Sequence, residues 1–106
     1  MISIKDFMEL ELRTARVNDA ERVEGTDKLM KLTVQVGDEE RTIVAGIAKV
    51  YAPQEIIGKK IIIVANLEPA TIRGVESNGM LLAADVDGAP YVATFDRWVP
   101  SGTRVR

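Results

Sequence analysis

The chain has 106 residues, 46% of them hydrophobic, and a formal net charge of −2. That length encloses one core but not two, and the apolar content is that of an ordinary globular domain. There is no Cys, which excludes disulfides, thiolate metal sites and cysteine nucleophiles, and no His, which removes the commonest general base and metal ligand. The remaining Asp, Glu, Lys, Tyr and Ser form no recognisable catalytic arrangement, so the expectation is a protein with no enzymatic activity, metal or cofactor. No apolar run reaches the roughly 20 residues of a membrane helix, and Met1-Ile2-Ser3-Ile4-Lys5-Asp6 has no secretory pattern. With cysteine absent, a cytoplasmic location is expected.

Charge is unevenly spread. Residues 1–40 hold 6 Lys+Arg against 10 Asp+Glu, residues 41–80 hold 5 against 3, and the remainder hold 3 of each. The middle of the chain is therefore mildly basic.

In chain order, Ser3-Ile4-Lys5-Asp6 reads as an N-cap with an acid three residues on. Phe7, Met8 and Leu10 would form the buried side of a short helix, which plugs the core or meets a partner subunit; the core plug is the favoured reading. Residues 12–23 read as a long strand with a bulge that switches the inward face, leaving Arg13 and Arg16 near the surface. The turn Glu24-Gly25-Thr26-Asp27 follows.

Residues 29–36 are the clearest strand. Met30, Leu32, Val34 and Val36 alternate with Lys31, Thr33 and Gln35. Gly37-Asp38-Glu39-Glu40 is a solvated hairpin loop, and residues 41–45 return as a third strand. Ile47, Val50 and Tyr51 take helical spacing, which predicts one or two turns; a second short turn over Gln54-Glu55-Ile56-Ile57 starts after Pro53 and closes at Gly58.

Residues 60–65 form a continuous apolar run, expected of a strand buried on both faces. Residues 66–79 then read as a polar loop, with Asn66, Pro69, Arg73 and Ser77, and with Asn78-Gly79 as its turn signal. A last strand runs over 80–86. Asp87-Gly88 makes a tight hairpin to residues 90–95, and Trp98, Val99 and Val105 are expected to cover one end of the core.

Three strands, a helical segment and two more strands give an all-β fold. The order is that of the OB-fold, a five-stranded Greek-key barrel with a short helix between strands three and four, here with a short N-terminal helix added. Such barrels bind oligonucleotides on strands two and three, between the one–two and four–five loops. Lys31, Thr33 and Gln35 would then lie on the binding face, and residues 66–79 would be the four–five loop. Tyr51, Tyr91, Phe95 and Trp98 lie off that face, which disfavours binding of single strands by stacking.

The chain closely resembles a tRNA-binding domain family. Its members occur at the C-terminus of many methionyl-tRNA synthetases, as a stand-alone dimeric tRNA-binding protein, and in eukaryotic synthetase cofactors. The resemblance rests on Asp6-Phe7, Leu12-Arg13-Thr14-Ala15, Asp27-Lys28-Leu29-Met30-Lys31-Leu32 and Arg41-Thr42-Ile43-Val44-Ala45-Gly46-Ile47-Ala48. It continues through Tyr51-Ala52-Pro53, Gly58-Lys59, Val64-Ala65-Asn66-Leu67-Glu68-Pro69 and Gly74-Val75-Glu76-Ser77-Asn78-Gly79-Met80-Leu81-Leu82-Ala83-Ala84. It implies one domain over 1–106 that binds tRNA by shape and backbone contacts and raises a synthetase's affinity for tRNA. The implied partners are tRNA, the methionyl-tRNA synthetase catalytic chain and a second copy of this chain. The homodimer would be built partly from the N-terminal helix and the C-terminal segment. The alternative is a dimeric chaperone for preproteins, from a related branch of the fold. Two positions depart from many relatives: Ala45 stands where they have Ser, and Gln54 where they have an acid.

Folded RNA is recognised through shape, phosphates and 2′-hydroxyls. The candidate phosphate contacts are Lys28, Lys31, Arg41, Lys59 and Arg73. Asn66 and Ser77 are candidates for a base edge or ribose, with bonding to loop backbone as the even alternative. Met80 is a candidate apolar platform at the loop mouth, with core packing its alternative.

Overall fold

The computed structural model describes residues Met1–Arg106. Its elements are α1 (Ile4–Phe7), β1 (Leu12–Arg22), β2 (Met30–Val36), β3 (Glu39–Ala45), α2 (Pro53–Ile56) and β4 (Lys60–Val64). They continue as β5 (Ala70–Ile72), β6 (Val75–Ser77), β7 (Met80–Leu81), β8 (Ala83–Val86), β9 (Ala89–Val92) and β10 (Arg104–Val105).

β1 is the spine. It pairs antiparallel with β2 from Arg16 to Arg22, with β4 from Leu12 to Arg16, and with β10 at Leu12 and Arg13. The register shift between Val17 and Asp19 is the bulge expected from the sequence. The main sheet runs β3-β2-β1-β4-β7 and curls until its edges meet. They close without a regular ladder: Asn78 N–H donates to Thr42 O at 2.8 Å, and Val44 N–H donates to Ser77 Oγ at 3.0 Å. This is the partly open OB barrel, with β7 as its fifth strand.

Period-2 alternation places Met30, Leu32 and Val34 fully inside, and Lys31, Thr33 and Gln35 half-exposed outside. Ile43, Ile61 and Ile63 meet them in the core, and Ile56 of α2 fills in from the helix.

Several expectations are corrected. Ser3 caps α1 by accepting the Asp6 N–H at 3.0 Å, but no residue of α1 is buried. Ile4 is 77% exposed and Phe7 only half-buried, so the core plug is α2 rather than α1. The 46–51 segment makes one turn, within the one or two expected, with Val50 and Tyr51 N–H both donating to Ile47 O. β4 is less enclosed than a strand covered on both faces: Ile61, Ile63 and Val64 are buried, while Lys60 and Ile62 are half-buried. Trp98 does not cover the core: it is 81% exposed.

The largest difference lies in residues 66–79. The stretch read as a loop contains the hairpin β5–β6. Its turn is Arg73-Gly74, both at positive φ (52° and 79°), the pattern of a type I′ connection. Asn78-Gly79 is not a hairpin turn. Gly79 has φ 128°, and a Cβ there would lie 3.1 Å from Val64 O. Glycine is required at that position by the close approach of β4. The last predicted strand is split at Leu82: β7 completes the barrel, and β8 leaves it to pair with β9 as a separate ribbon.

Candidate nucleic-acid interface

The eight predicted residues divide by what their polar atoms already do. Asn66 is a brace. Its Oδ1 accepts the Glu11 N–H at 2.8 Å, and its Nδ2 donates to Glu9 O at 2.7 Å. The amide therefore ties the end of the N-terminal segment to the start of the β4–β5 connection. Ser77 is buried, accepts the Val44 N–H and donates to Gly79 O at 3.3 Å. Arg41 donates through Nη1 to Ala65 O at 2.6 Å and through Nε to Glu39 at 2.6 Å, and lies 3.5 Å from Asn78 O. Ser77 and Arg41 hold the barrel edges together while Asn66 anchors the N-terminal segment, and backbone bonding is the alternative that Asn66 and Ser77 use in this fold.

Four cations keep their charge towards solvent. Arg73 sits exposed at the tip of β5–β6. That hairpin leans towards the β1–β2 loop, so Arg73 and Val75 border one hollow of about 360 Å³ with Lys31, Glu21 and Arg22. Lys31 stands 3.7 Å from Glu21, its cross-strand neighbour. Exposed pairs of this kind contribute roughly 0–1 kcal/mol, so the carboxylate holds the ammonium only weakly. Lys28 is exposed beside a second hollow, shared with Lys49, Gly46 and Pro90. Met80, 50% exposed, borders an adjoining apolar hollow with Ala45, Gly46 and Pro90. Lys59 is exposed but lies beside the middle of β1, where its carbonyl accepts the Val17 N–H at 2.9 Å.

Lys31 and Arg73 thus meet, Lys28 and Met80 occupy adjoining hollows, and Lys59 stands apart. Two residues of this surface were not singled out from the sequence. Arg22 lines the Lys31–Arg73 hollow while donating to Ala48 O at 2.8 Å, and Lys49 lies 3.7 Å from Asp27. Their signal was the long outer row of β1 and the cation after Ala48, both indistinct from ordinary surface charge. No helix is long and apolar enough to cross a membrane.

Comparison with known proteins places this geometry in context. A tRNA binding domain family model matches residues 12–104. A methionine–tRNA ligase of Caldanaerobacter subterraneus is 51% identical over 104 residues, covering 98% of this chain and 16% of the ligase. The chain thus spans about one sixth of the curated relatives it matches. Among solved structures, a MetRS related protein from Pyrococcus horikoshii superposes with a TM-score of 0.95 at 43% identity, covering 100% of this chain and 98% of that one. The chaperone CsaA of Bacillus anthracis superposes with a TM-score of 0.91 at 27% identity, covering 100% and 99%.

Proposed function

The chain belongs to the tRNA binding domain family, and from that premise we propose a non-catalytic module that binds tRNA and lends this affinity to methionyl-tRNA synthetase. It acts in the cytoplasm as the C-terminal domain or a separate subunit of that enzyme. One observation carries the reading at the residue level: β5–β6 delivers Arg73 to the hollow beside Lys31, between the one–two and four–five connections of the barrel. That is where OB barrels take oligonucleotides. Lys31 and Arg73 hold phosphates, Lys28 adds a third cation along the rim, and Met80 packs on ribose or base. The braces Asn66, Ser77 and Arg41 fix the hairpin without contacting RNA.

We further propose a homodimer. Ile2, Ile4, Met8 and Leu10 are exposed, and Asn66 holds this segment next to exposed Leu67. A gathered apolar surface of this kind marks an interaction site. A second copy doubles the number of cations presented to one RNA.

Titration with tRNA at low and physiological salt, comparing the wild type with Arg73→Asn, tests the module. Asn-Gly is the favoured type I′ pair, so the turn survives while the cation goes. The expected result is a loss of about 1 kcal/mol in affinity and a log–log salt slope shallower by about 0.7–0.9. Unchanged affinity and slope would remove Arg73 from the interface. The likeness to CsaA gives a second reading, a preprotein chaperone using the apolar hollow at Met80. It is the weaker reading, because sequence identity falls from 51% with the ligase to 27% with CsaA.

A further inference from the structure

Trp98 is the only tryptophan of the chain and its most exposed large hydrophobic residue beyond the N-terminal methionine. An indole is normally buried, so an exposed one held in place calls for a ligand or partner. Trp98 is held in place. The Lys60 ammonium lies 5.0 Å from the ring centroid and also donates to Val99 O, one residue along. Lys60 is itself fixed by β4, opposite Arg16 of β1. The segment carrying Trp98 is anchored just beyond it: Thr14 Oγ1 donates to Pro100 O at 2.6 Å, and Gly102 N–H donates to Thr14 O at 2.7 Å.

Beside the ring lies a hollow of about 570 Å³, bordered by Arg16, Lys60, Trp98, Gly58, Val99 and Asp38. It presents an aromatic surface, two cations and one carboxylate. Arg16 is exposed, and its Nη1 donates only to Asn18, a neutral partner. A cation on one face of an indole and a second cation across a hollow suit a nucleotide, whose base stacks on the ring while its phosphate meets the guanidinium.

We propose that Trp98 is a stacking platform for an unpaired base of bound RNA, with Arg16 taking the adjacent phosphate. This rests on the tRNA-binding reading and adds to it a second contact, separate from the Lys31–Arg73 hollow. Arg16 and Glu21, which pairs with Lys31, are separated along β1 by roughly 17 Å, a span that one folded RNA bridges.

The lone tryptophan gives a direct readout. Bulk deacylated tRNA is titrated into the protein, with binding followed by anisotropy of end-labelled tRNA and Trp98 followed by emission and by acrylamide quenching. The expected result is quenching of Trp98 emission, and loss of its acrylamide accessibility, at the same midpoint as the anisotropy change. Trp98→Ala should weaken binding about 5- to 100-fold while Trp98→Phe retains most of it, because a phenyl ring keeps a π-face. Binding by anisotropy with Trp98 emission and accessibility unchanged overturns the platform and leaves the tRNA-binding reading intact. No anisotropy change at low salt overturns both. If Trp98 becomes protected as protein concentration rises without RNA, the indole belongs to an interface between copies and the platform is overturned.

Discussion

Ser77 separates a residue that builds the interface from one that touches RNA. Its side chain is 4% exposed, and its Oγ is the sole side-chain bridge between β6 and the Val44 amide. Val44 is itself buried, at 8% exposure. Replacing Ser77 with Ala removes the acceptor and admits no water, so a buried N–H is left unpaired. That costs about 1–3 kcal/mol. Loss of the 3.3 Å bond from Ser77 Oγ to Gly79 O adds little, because a carbonyl with a second lone pair tolerates it better.

For a domain of this size each kcal/mol corresponds to roughly 4–8 °C in melting temperature. Melting should be followed by far-UV circular dichroism at fixed protein concentration, since an associating protein melts at a temperature that depends on concentration. Trp98 emission is the wrong probe, because the indole is already in water in the folded state. The Ser77→Ala protein should melt well below wild type yet bind tRNA with wild-type affinity at temperatures where both are folded. Equal melting would refute the bridge. Wild-type stability with weakened tRNA binding would return the hydroxyl to the interface.

Two further outcomes follow from the same packing. Gly102→Ala places a Cβ 2.7 Å from Gly37 N and 2.8 Å from Gly37 Cα at a φ of 82°, so backbone must move; a loss of about 2 kcal/mol or more is expected in the urea midpoint, and a change within 0.5 kcal/mol would contradict the contact. Ile4→Asp with Met8→Asp should shift sedimentation from dimer to monomer while the core stays folded, since neither side chain is buried; an intact dimer would move the interface elsewhere.

The barrel was legible where one face met core and the other met water. β2 needed no context: its alternation named Met30, Leu32 and Val34 as inward, and they are fully buried. The order of strands and helix then sufficed for the OB topology. Legibility failed where a position is decided by a distant neighbour. Asn78-Gly79 has the composition of a hairpin turn, but Gly79 is there because Val64 O approaches, which is visible only once β4 and β7 pair. The real turn puts Arg73 at a φ of 52°, a conformation few arginines adopt, so nothing in residue type announced it. Trp98 failed for the opposite reason. Hydrophobicity argues for burial, and the Lys60 contact that holds the ring outside joins residues far apart in sequence.

The site shows the same limit in electrostatic form. Residue type picked out the polar groups of the four–five connection but not which were already committed. Four acids pair with cations: Glu11 with Arg13, Glu21 with Lys31, Glu39 with Arg41 and Asp27 with Lys49. On the proposed reading, a chain of net charge −2 therefore meets a polyanion with only a few uncommitted cations on any one face. With Lys28 and Arg73 unpaired and Lys31 released from its weak pair with Glu21, counterion release predicts a log–log salt slope of about −2 to −3 for each subunit. A symmetric dimer engaging one RNA with both faces doubles it. The slope therefore counts the subunits in contact: a value near −2 to −3 from a protein that sediments as a dimer means one face binds, and a value near −5 means both do. On the proposed reading affinity is limited by the number of phosphates reached, so a small acidic domain would gain by pairing with itself or with a synthetase that holds the same tRNA elsewhere.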